Sequence, residues 1–442
     1  MTTRLLACIL QQHTTRRVLM LAALSFLVAD AAAATIGVGN CSDGGSGSLR
    51  AAVARARDGD TVDLSRLACS RILLTGGAID VPQDDLALVG PGRFALTVDG
   101  DRRDRVFRHT GAGTLRIARM SVARGYIEEN TMGRAAGGCI SAHNLVLERS
   151  RVHHCEASAP GGLEADAAGG AIAASRVVLS FSSVFASTAR NAAFGGGIFA
   201  EEVVLYRSHV YGNYASWGGG IFASRRIEAT YSLIHGNRGA TVGAGVYIDA
   251  GELVVNKSTI SANRLDGDDE RGFIPFGGGI FAAGDTRVVL VDSTVSGNYA
   301  PEASAAMIEG PATILNSTIA ANEADDCGLF GVLHAQRLRI ESSILAANLC
   351  HAPGFDTTAI NITGSHNLIG SSNNPVPADT LSGNPRLLPL AGNGGPVRTH
   401  MLRSDSPAID RGSNPLRRMY DQRGPGFPRV KGIAPDIGAT EH

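Results

Sequence analysis

Four carboxylates stand close together in the segment RLDGDDERGFIP, which directly follows Asn263. They are Asp266, Asp268, Asp269 and Glu270. Carboxylate oxygens at this spacing could bind Ca²⁺, and two of them could act as the acid and the nucleophile of a glycosidase. A solvated acidic loop without a ligand is the alternative, and the residue types favour it.

A second group with possible chemistry consists of aromatic and imidazole rings. Each ring occupies the same aligned position in a recurring phrase, and the four are His153, Phe185, Tyr211 and His235. Rings that line up on a rigid surface can bind sugars, whereas a ladder of rings can equally stabilise adjacent strands. We favour the ladder and keep a glycan-binding stripe as the alternative.

Both groups belong to a repeat that must position them. The phrase Ser-x-(Val/Ile)-x-x-Asn ends at Asn213, Asn237, Asn263, Asn298, Asn322 and Asn348. Apolar and mixed positions alternate with a period of two before each Asn, which indicates strands. Coils of about 24 residues with three short strands predict an all-β, right-handed parallel β-helix. The chain has room for roughly 11 to 13 coils, each adding about 4.8 Å.

Two further features of the repeat have structural interpretations. The repeat Asn is expected to adopt the left-handed conformation of a tight turn and to form a hydrogen-bonded ladder from coil to coil. The run GGG in FGGGIFA, which begins at Phe194 and again at Phe276, is expected to form a corner with positive φ. It is not a phosphate-binding loop, because no helix start with Lys and Ser/Thr follows it. The rings after these corners, Phe199, Phe222, Tyr247 and Phe281, predict a structural stack.

Composition excludes several classes of protein. Hydrophobic residues make up 44% of the chain, which excludes a disordered Gly-rich tract even though Gly occurs 55 times. The net charge of −1 indicates no nucleic-acid partner. A polysaccharide lyase would want a base such as Lys or Arg near Ca²⁺-binding carboxylates. The chain has only two lysines, Lys257 and Lys431, and its arginines are scattered.

Residues 1–34 predict a signal peptide, in which Arg16 and Arg17 precede the apolar run VLMLAALSFLVA. No membrane span is expected after its removal. Six cysteines remain, and in an exported chain they indicate disulfides. Sequence order suggests Cys41 with Cys69, Cys139 with Cys155 and Cys327 with Cys350. Six cysteines allow 15 pairings in all, and the absence of CxxC argues against a metal cluster.

The repeat leaves both ends to be covered, because open strand edges invite association. Residues 35–71 predict an N-terminal cap with an amphipathic helix in SLRAAVARARDGDTVDL. Residues 72–375 are assigned to the β-helix. Residues 376–442 lose the repeat, become rich in Pro and Gly, and predict an irregular C-terminal cap.

The two ends also resemble a known family. The C-terminal segment contains NGGP, TH, SPAID, DQRG and DIGA in order, and the mature start reads CSDGGSGSLRAAVARARDGDTVDL. These motifs are similar to those of choice-of-anchor Q domain proteins, which are secreted bacterial β-helix proteins with CSLREA-like beginnings. The Gly-Gly-x-Ile and x-x-Asn phrases resemble the repeats of polymorphic outer membrane proteins. The resemblance implies export and a β-helix, and it implies no reaction.

These observations predict a secreted or cell-surface β-helix scaffold, non-catalytic and adhesin-like or glycan-binding. Its expected partner is a polysaccharide or a cell-surface component. The alternative is an extracellular polysaccharide lyase or glycoside hydrolase that acts in a lateral groove. No cofactor is expected apart from Ca²⁺ at the acidic segment.

Overall fold

The computed structural model describes residues 33–129, 134–160, 166–267 and 274–442. Strands that lie one coil apart in the sequence pair in parallel, so that successive coils build three sheets. The second sheet contains 12 strands, which corresponds to about 12 turns of a right-handed parallel β-solenoid. The predicted fold class is confirmed. The predicted signal peptide lies almost entirely outside the described residues.

The first sheet has 17 strands and already begins within the region predicted as the N-terminal cap. Its strands are Thr35–Gly37, Thr61–Asp63, Ile79–Val81, Leu86–Val89, Phe107–His109, Thr114–Ala118, Ile140–Glu148, Ile172–Ser180, Ile198–Tyr206, Ile221–Thr230, Val246–Ile248, Glu252–Asn256, Ile280–Ala282, Arg287–Val291, Ala306–Leu315, Leu333–Glu341 and Ile362–Thr363. The alternation of buried and exposed residues along them matches the period-two pattern of the sequence.

The second and third sheets consist of shorter strands. The second sheet comprises Arg71–Leu73, Thr97–Asp99, Ser121–Ala123, Arg151–His153, Ser183–Phe185, His209–Tyr211, Leu233–His235, Thr259–Ser261, Thr294–Ser296, Thr318–Ala320, Ile344–Leu345 and Leu368–Ile369. The third sheet comprises Tyr126–Glu128, Glu156–Ser158, Thr188–Arg190, Tyr214–Trp217, Arg238–Val242, Arg264–Leu265, Tyr299–Ala300, Glu323–Ala324 and Leu349–Cys350. Two short pairs complete the set, Arg134–Ala136 with Asp166–Ala168 in parallel and Ala391–Gly392 with Arg398–Thr399 antiparallel.

A helix, Leu49–Arg55, lies at the N-terminal end of the solenoid. Ser48 caps it, because its side chain accepts a hydrogen bond from the amide of Ala51. Leu49, Ala52 and Val53 are its buried residues, at the helical spacing seen in the sequence. Among the described residues, no helix is long and apolar enough to span a bilayer.

The repeat asparagines form the predicted ladder inside the solenoid. The Nδ2 of Asn213 donates to the Oδ1 of Asn237 at 3.0 Å, and that of Asn263 donates to the Oδ1 of Asn298 at 2.9 Å. The same Nδ2 of Asn263 also donates to the carbonyl of Ile234 one coil earlier, at 3.1 Å. The ladder therefore joins successive coils through side chains as well as through the sheets.

The prediction that the repeat Asn itself adopts the left-handed conformation is wrong. The preceding residue does so, as in Gly212 with φ 63° and Gly236 with φ 60°. This turn points the next side chain inward, so that Asn213 and Asn237 are buried. The small residue before each Asn is therefore required by the turn and not by the interior.

The GGG corners have the predicted backbone. The first glycine of the run has positive φ, which is 64° at Gly195. A Cβ on the next glycine, Gly196, would lie 2.3 Å from the carbonyl oxygen of Tyr214. The corner therefore needs glycine for its conformation and for the close approach of neighbouring coils.

The three predicted disulfides are present. They join Cys41 with Cys69, Cys139 with Cys155, and Cys327 with Cys350. Disulfides persist in oxidising compartments, so they indicate an extracellular protein.

The C-terminal segment, residues 376–442, packs along the outer surface of the second sheet and covers a lateral face of the coils. Thr259 Oγ1 donates to the carbonyl of Arg398 at 2.7 Å, and Thr294 Oγ1 donates to Oε1 of Gln422 at 2.6 Å. The later coils are thereby buried under irregular chain, while the earlier coils of the same sheet stay open.

The outward residues of the second sheet change type where this cover begins. The column that contains the rings of His153, Phe185, Tyr211 and His235 continues on the later strands with Ser261, Ser296 and Ala320, which pair in register with one another and with His235. These small side chains leave room for the C-terminal segment, and Ser296 Oγ lies 2.8 Å from Nε2 of His400. The ring stripe is therefore the uncovered part of one continuous column.

Candidate functional site

The ring stripe lies on the outer surface of the second sheet, on four successive strands. The ring centroids of His153 and Phe185 are 4.8 Å apart with planes at 18°, those of Phe185 and Tyr211 are 4.8 Å apart at 1°, and those of Tyr211 and His235 are 5.0 Å apart at 12°. Each ring covers the face of its neighbour, whereas a sugar stacks on a free face. The geometry favours the structural ladder for these residues.

The two histidines of the stripe have strongly lowered basicity. Burial, the largest cause, lowers the pKa of both His153 and His235 to about 4. Neighbouring groups that become or stay cationic add to the effect, Arg151 beside His153 and His209 beside His235. Both imidazoles are therefore neutral in the folded protein at neutral pH.

These pKa shifts predict a loss of stability in acid. Each of these histidines has a pKa near 6.5 in the unfolded chain and about 4 in the folded protein. Between these pH values the unfolded state binds more protons, so acid favours unfolding. The contribution of the neutral imidazoles to the free energy of unfolding is complete above pH 6.5. It decreases as the pH falls towards 4, by at most about 1.4 kcal/mol per histidine and pKa unit.

The double variant His153→Phe/His235→Phe keeps the rings and removes the two titrating groups. We expect the urea midpoint of this variant to fall less than that of the parent between pH 7 and 4.5. An equal fall of the two midpoints would contradict this explanation.

Beside the stripe, the turn that leads into the second sheet presents one exposed side chain per coil. Four successive coils place Arg119, Arg149, Phe181 and Arg207 there, with φ values of 57°, 46°, 50° and 46°. A left-handed conformation costs a residue with a Cβ about 1–2 kcal/mol. The guanidinium groups of Arg149 and Arg207 lie 5.6 and 5.8 Å from the ring centroid of Phe181. The turn therefore carries a ladder of cations around an aromatic ring.

A loop at residues 91–94 reaches along the solenoid to this ladder. Arg93 Nη1 donates to the carbonyl of Phe181 at 2.9 Å, although the two residues are 88 positions apart. Phe94 is 77% exposed. The guanidinium of Arg151, on the second sheet, lies 5.0 Å from the ring centroid of Phe94 and 4.9 Å from that of Phe185. The loop thus forms a wall opposite the turn, with Arg151 between them.

Together these elements enclose a groove of about 600 Å³. We call it the arginine groove and define it by Arg93, Arg119, Arg149, Arg151 and Arg207 with Phe94 and Phe181. The described residues that line it include no Asp or Glu. Ser183, His209 and Tyr211 of the second sheet contribute to its lining. Burial, and then the charge of Arg93, lowers the pKa of His209, as expected beside several cations.

The five arginines differ from others nearby in having no acidic partner among the residues that the structure describes. Within the described part of the chain, none of the five comes within 4.0 Å of a carboxylate oxygen. By contrast, Arg124 in the adjacent depression pairs with Asp99 at 2.9 Å, and Arg116 pairs with Glu148 at 3.5 Å. The positive charge of the arginine groove is therefore left for a ligand or for solvent.

Sequence reasoning missed this groove, because its arginines are far apart along the chain. A signal was present for two of them, since Arg149 and Arg207 directly precede the Ser of the recurring phrase. Nothing in the sequence indicated that the loop around Phe94 would join them.

The acidic segment is only partly described. Asp266 follows the strand Arg264–Leu265 of the third sheet and is paired with two arginines, Arg238 at 2.6 Å and Arg264. Asp268, Asp269 and Glu270 lie outside the described residues. In the ranges that the structure covers, no group of three or more His, Cys, Asp or Glu side chains could hold a metal ion. The Ca²⁺ site stays a prediction.

The rings that follow the GGG corners stack on the first sheet. Successive centroid distances along Phe199, Phe222, Tyr247 and Phe281 are 5.2, 4.7 and 5.1 Å, with plane angles of 17°, 8° and 23°. Their faces also cover one another. This stack therefore offers ring edges to solvent, as the stripe on the second sheet does.

Comparisons with known proteins give a fold similarity and no sequence relative. No protein-family model matches the chain, and no curated protein matches its sequence. The fold is similar to the solved structure of a protein named pectate lyase Pel9A, with a TM-score of 0.49 and 12% identity. The alignment covers 92% of this chain and 96% of that one. The resemblance to choice-of-anchor Q domain proteins stays a prediction.

Proposed function

We propose that the protein is a secreted or cell-surface β-helix scaffold that binds polysaccharide in the arginine groove, without a reaction of its own. The observation that carries the proposal is the groove itself. It combines a volume of about 600 Å³ with a ring, Phe94, that is 77% exposed at its wall. Ligand sites of this size bind small molecules. The guanidinium groups of Arg93 and Arg151 lie 5.1 and 5.0 Å from the ring centroid of Phe94, and the exposed remainder of the ring offers apolar surface to a sugar.

The scaffold supports this function by its rigidity. The floor of the groove consists of second-sheet strands whose backbone pairs on both sides, as Arg151–His153 does with Ser121–Ala123 and Ser183–Phe185. Binding groups on such strands keep their spacing without ordering a flexible segment on association. The three disulfides fit an extracellular location. Adhesin-like attachment to a glycan surface and membership in the choice-of-anchor Q family are parts of this proposal.

The hydrolase alternative has less support at this groove. A glycoside hydrolase needs two carboxyl groups about 5 to 10 Å apart across the scissile bond, and the described lining residues contain none. A lyase would use a base near the uronate, for which an arginine of the groove, Tyr211 or His209 is a candidate, together with Ca²⁺-binding carboxylates, which the described lining lacks. The geometry therefore favours binding, and an activity assay belongs in the same experiment.

The test is a glycan array probed with the secreted chain and with Phe94→Ala. We expect the variant to lose about tenfold in affinity, because truncation of a principal contact residue costs more than about 1 kcal/mol and about 1.4 kcal/mol corresponds to a factor of ten. Tyr214→Ala is the matched control, since Tyr214 is 39% exposed on the third sheet, outside the groove. Binding to no glycan, or equal binding by Phe94→Ala, would contradict the proposal. Appearance of unsaturated sugar products would favour the lyase alternative.

A further inference from the structure

We infer that the ligand of the arginine groove is a polyanionic polysaccharide, recognised by its carboxylate, sulfate or phosphate groups. This inference rests on the proposed function and specifies its substrate class. The starting observation is the separation of charge. The whole chain has 40 basic and 41 acidic residues, yet five arginines share one groove whose described lining has no carboxylate.

Three of the five arginines are also free to donate, whereas Arg93 donates to the carbonyl of Phe181 and Arg119 donates to that of Pro91. The guanidinium groups of Arg149, Arg151 and Arg207 donate no hydrogen bond to the described protein, and they contact aromatic rings instead. A contact with a ring face attracts the guanidinium without using its N–H donors, which stay available to an acceptor. This edge matches two oxygens of one anionic group in a bidentate arrangement, which is the strong form of the interaction.

The arrangement repeats along the solenoid, which favours a polymer over a single small anion. Arg119, Arg149, Phe181 and Arg207 occupy the same turn of four successive coils, as the amide of each of the first three donates to the coil of the next. Successive coils are about 4.8 Å apart. The groove therefore offers cations at intervals along one line, as a chain with an anionic group on successive sugar residues requires.

The same left-handed turn recurs in the later coils, for example at Lys257 with φ 48°, and it shows what a cationic side chain at this position can bind. At the equivalent turn of later coils, Lys257 uses its charge to bind carbonyls of the C-terminal segment. The turn position therefore already serves as an attachment point for oxygen acceptors within this protein. In the earlier coils, Arg149 and Arg207 present the same kind of charge at an open face.

The experiment measures binding of the secreted chain to a polyuronate and to the same polymer after complete methyl esterification. The two polymers share a backbone and differ only in charge. We expect binding to the free acid to be at least about tenfold tighter and to weaken as salt rises, because ions screen exposed charges. A sulfated glycan and a phosphodiester-linked glycan form the other arms and distinguish the three anions.

The decisive variants are Arg149→Gln and Arg207→Gln. Both arginines are exposed, and neither donates to the described backbone, so folding should be retained. We expect about a tenfold loss of affinity for each and about a hundredfold loss for the pair. Arg225→Gln is the matched control. It removes an arginine of the first sheet whose side chain is 65% exposed and is paired with Glu201.

The outcomes separate this inference from the proposed function. Equal binding of charged and esterified polymer, or unchanged binding by the double variant, overturns the polyanion inference and leaves glycan binding standing. Binding to no polysaccharide in any arm overturns both. Tighter binding to single-stranded RNA than to every acidic glycan overturns the assignment to polysaccharide.

Discussion

Replacement of Asn263 by alanine is expected to lower the free energy of unfolding by about 2–5 kcal/mol. Its Oδ1 accepts from both the amide and the Nδ2 of Asn237, at 3.0 Å each, and its own Nδ2 donates to Asn298 and to the carbonyl of Ile234. Alanine leaves several of these buried groups without partners, and each unpaired group costs about 1–3 kcal/mol. Because coils stack only on their neighbours, the loss weakens the two interfaces that this coil makes, one with the coil of Asn237 and one with the coil of Asn298.

Urea denaturation followed by circular dichroism measures this effect. Asn373→Ala is the control, since Asn373 is exposed and lies outside the ladder. It is expected to change stability by less than about 0.5 kcal/mol. A similar shift for both variants would mean that the ladder contributes no more than an ordinary surface amide.

The second large effect is expected for Lys257→Met, which removes the charge that anchors the C-terminal segment. Lys257 Nζ donates to the carbonyls of Tyr420 and Asp421 at 2.6 and 2.5 Å and lies 3.1 Å from Oδ2 of Asp292. Asp292 is fully buried. Loss of the lysine leaves this carboxylate with Arg418, at 3.7 Å, as its one basic partner among the described residues, and breaking such a buried pair costs about 3–5 kcal/mol.

The other lysine of the chain is the natural control. Lys431 is exposed and donates to the carbonyl of His442, so Lys431→Met should have little effect on stability. The double variant Lys257→Met/Asp292→Asn should recover part of the loss, because it removes the unpaired charge. Limited proteolysis measures whether residues 376–442 detach. A Lys257→Met protein as stable and as protease-resistant as the parent would contradict the anchoring role.

The fold could be predicted from sequence because its interactions recur at a nearly constant separation. Neighbouring coils place equivalent residues 24 to 35 positions apart, as the ladder bonds at Asn213 and Asn263 show. One phrase therefore determines strand, turn and interior in every coil. The left-handed residue was misplaced by one position, since an Asn and a preceding Gly can both adopt that conformation and only the backbone distinguishes them.

The candidate site was much less predictable. The rings of the stripe lie on one face, as the alternation in the sequence predicted. A sugar platform would need free ring faces, however, and centroid distances of 4.8 to 5.0 Å leave no free face between the rings. The arginine groove has no local motif. Arg93 and Phe181 meet only because a loop spans several coils.

The sequence by itself determined the coil, the Asn ladder and the glycine corners, since each depends on residues one coil apart or on a local turn. It suggested the cysteine pairs only through their order along the chain. The tertiary structure decided which part of the second sheet is open. Lys257 meets Tyr420 across 163 positions, and such a contact follows from the way irregular chain packs on an already formed face. That packing covers the later coils and leaves the arginine groove of the earlier coils open, where none of the five arginines pairs with a carboxylate of the described residues.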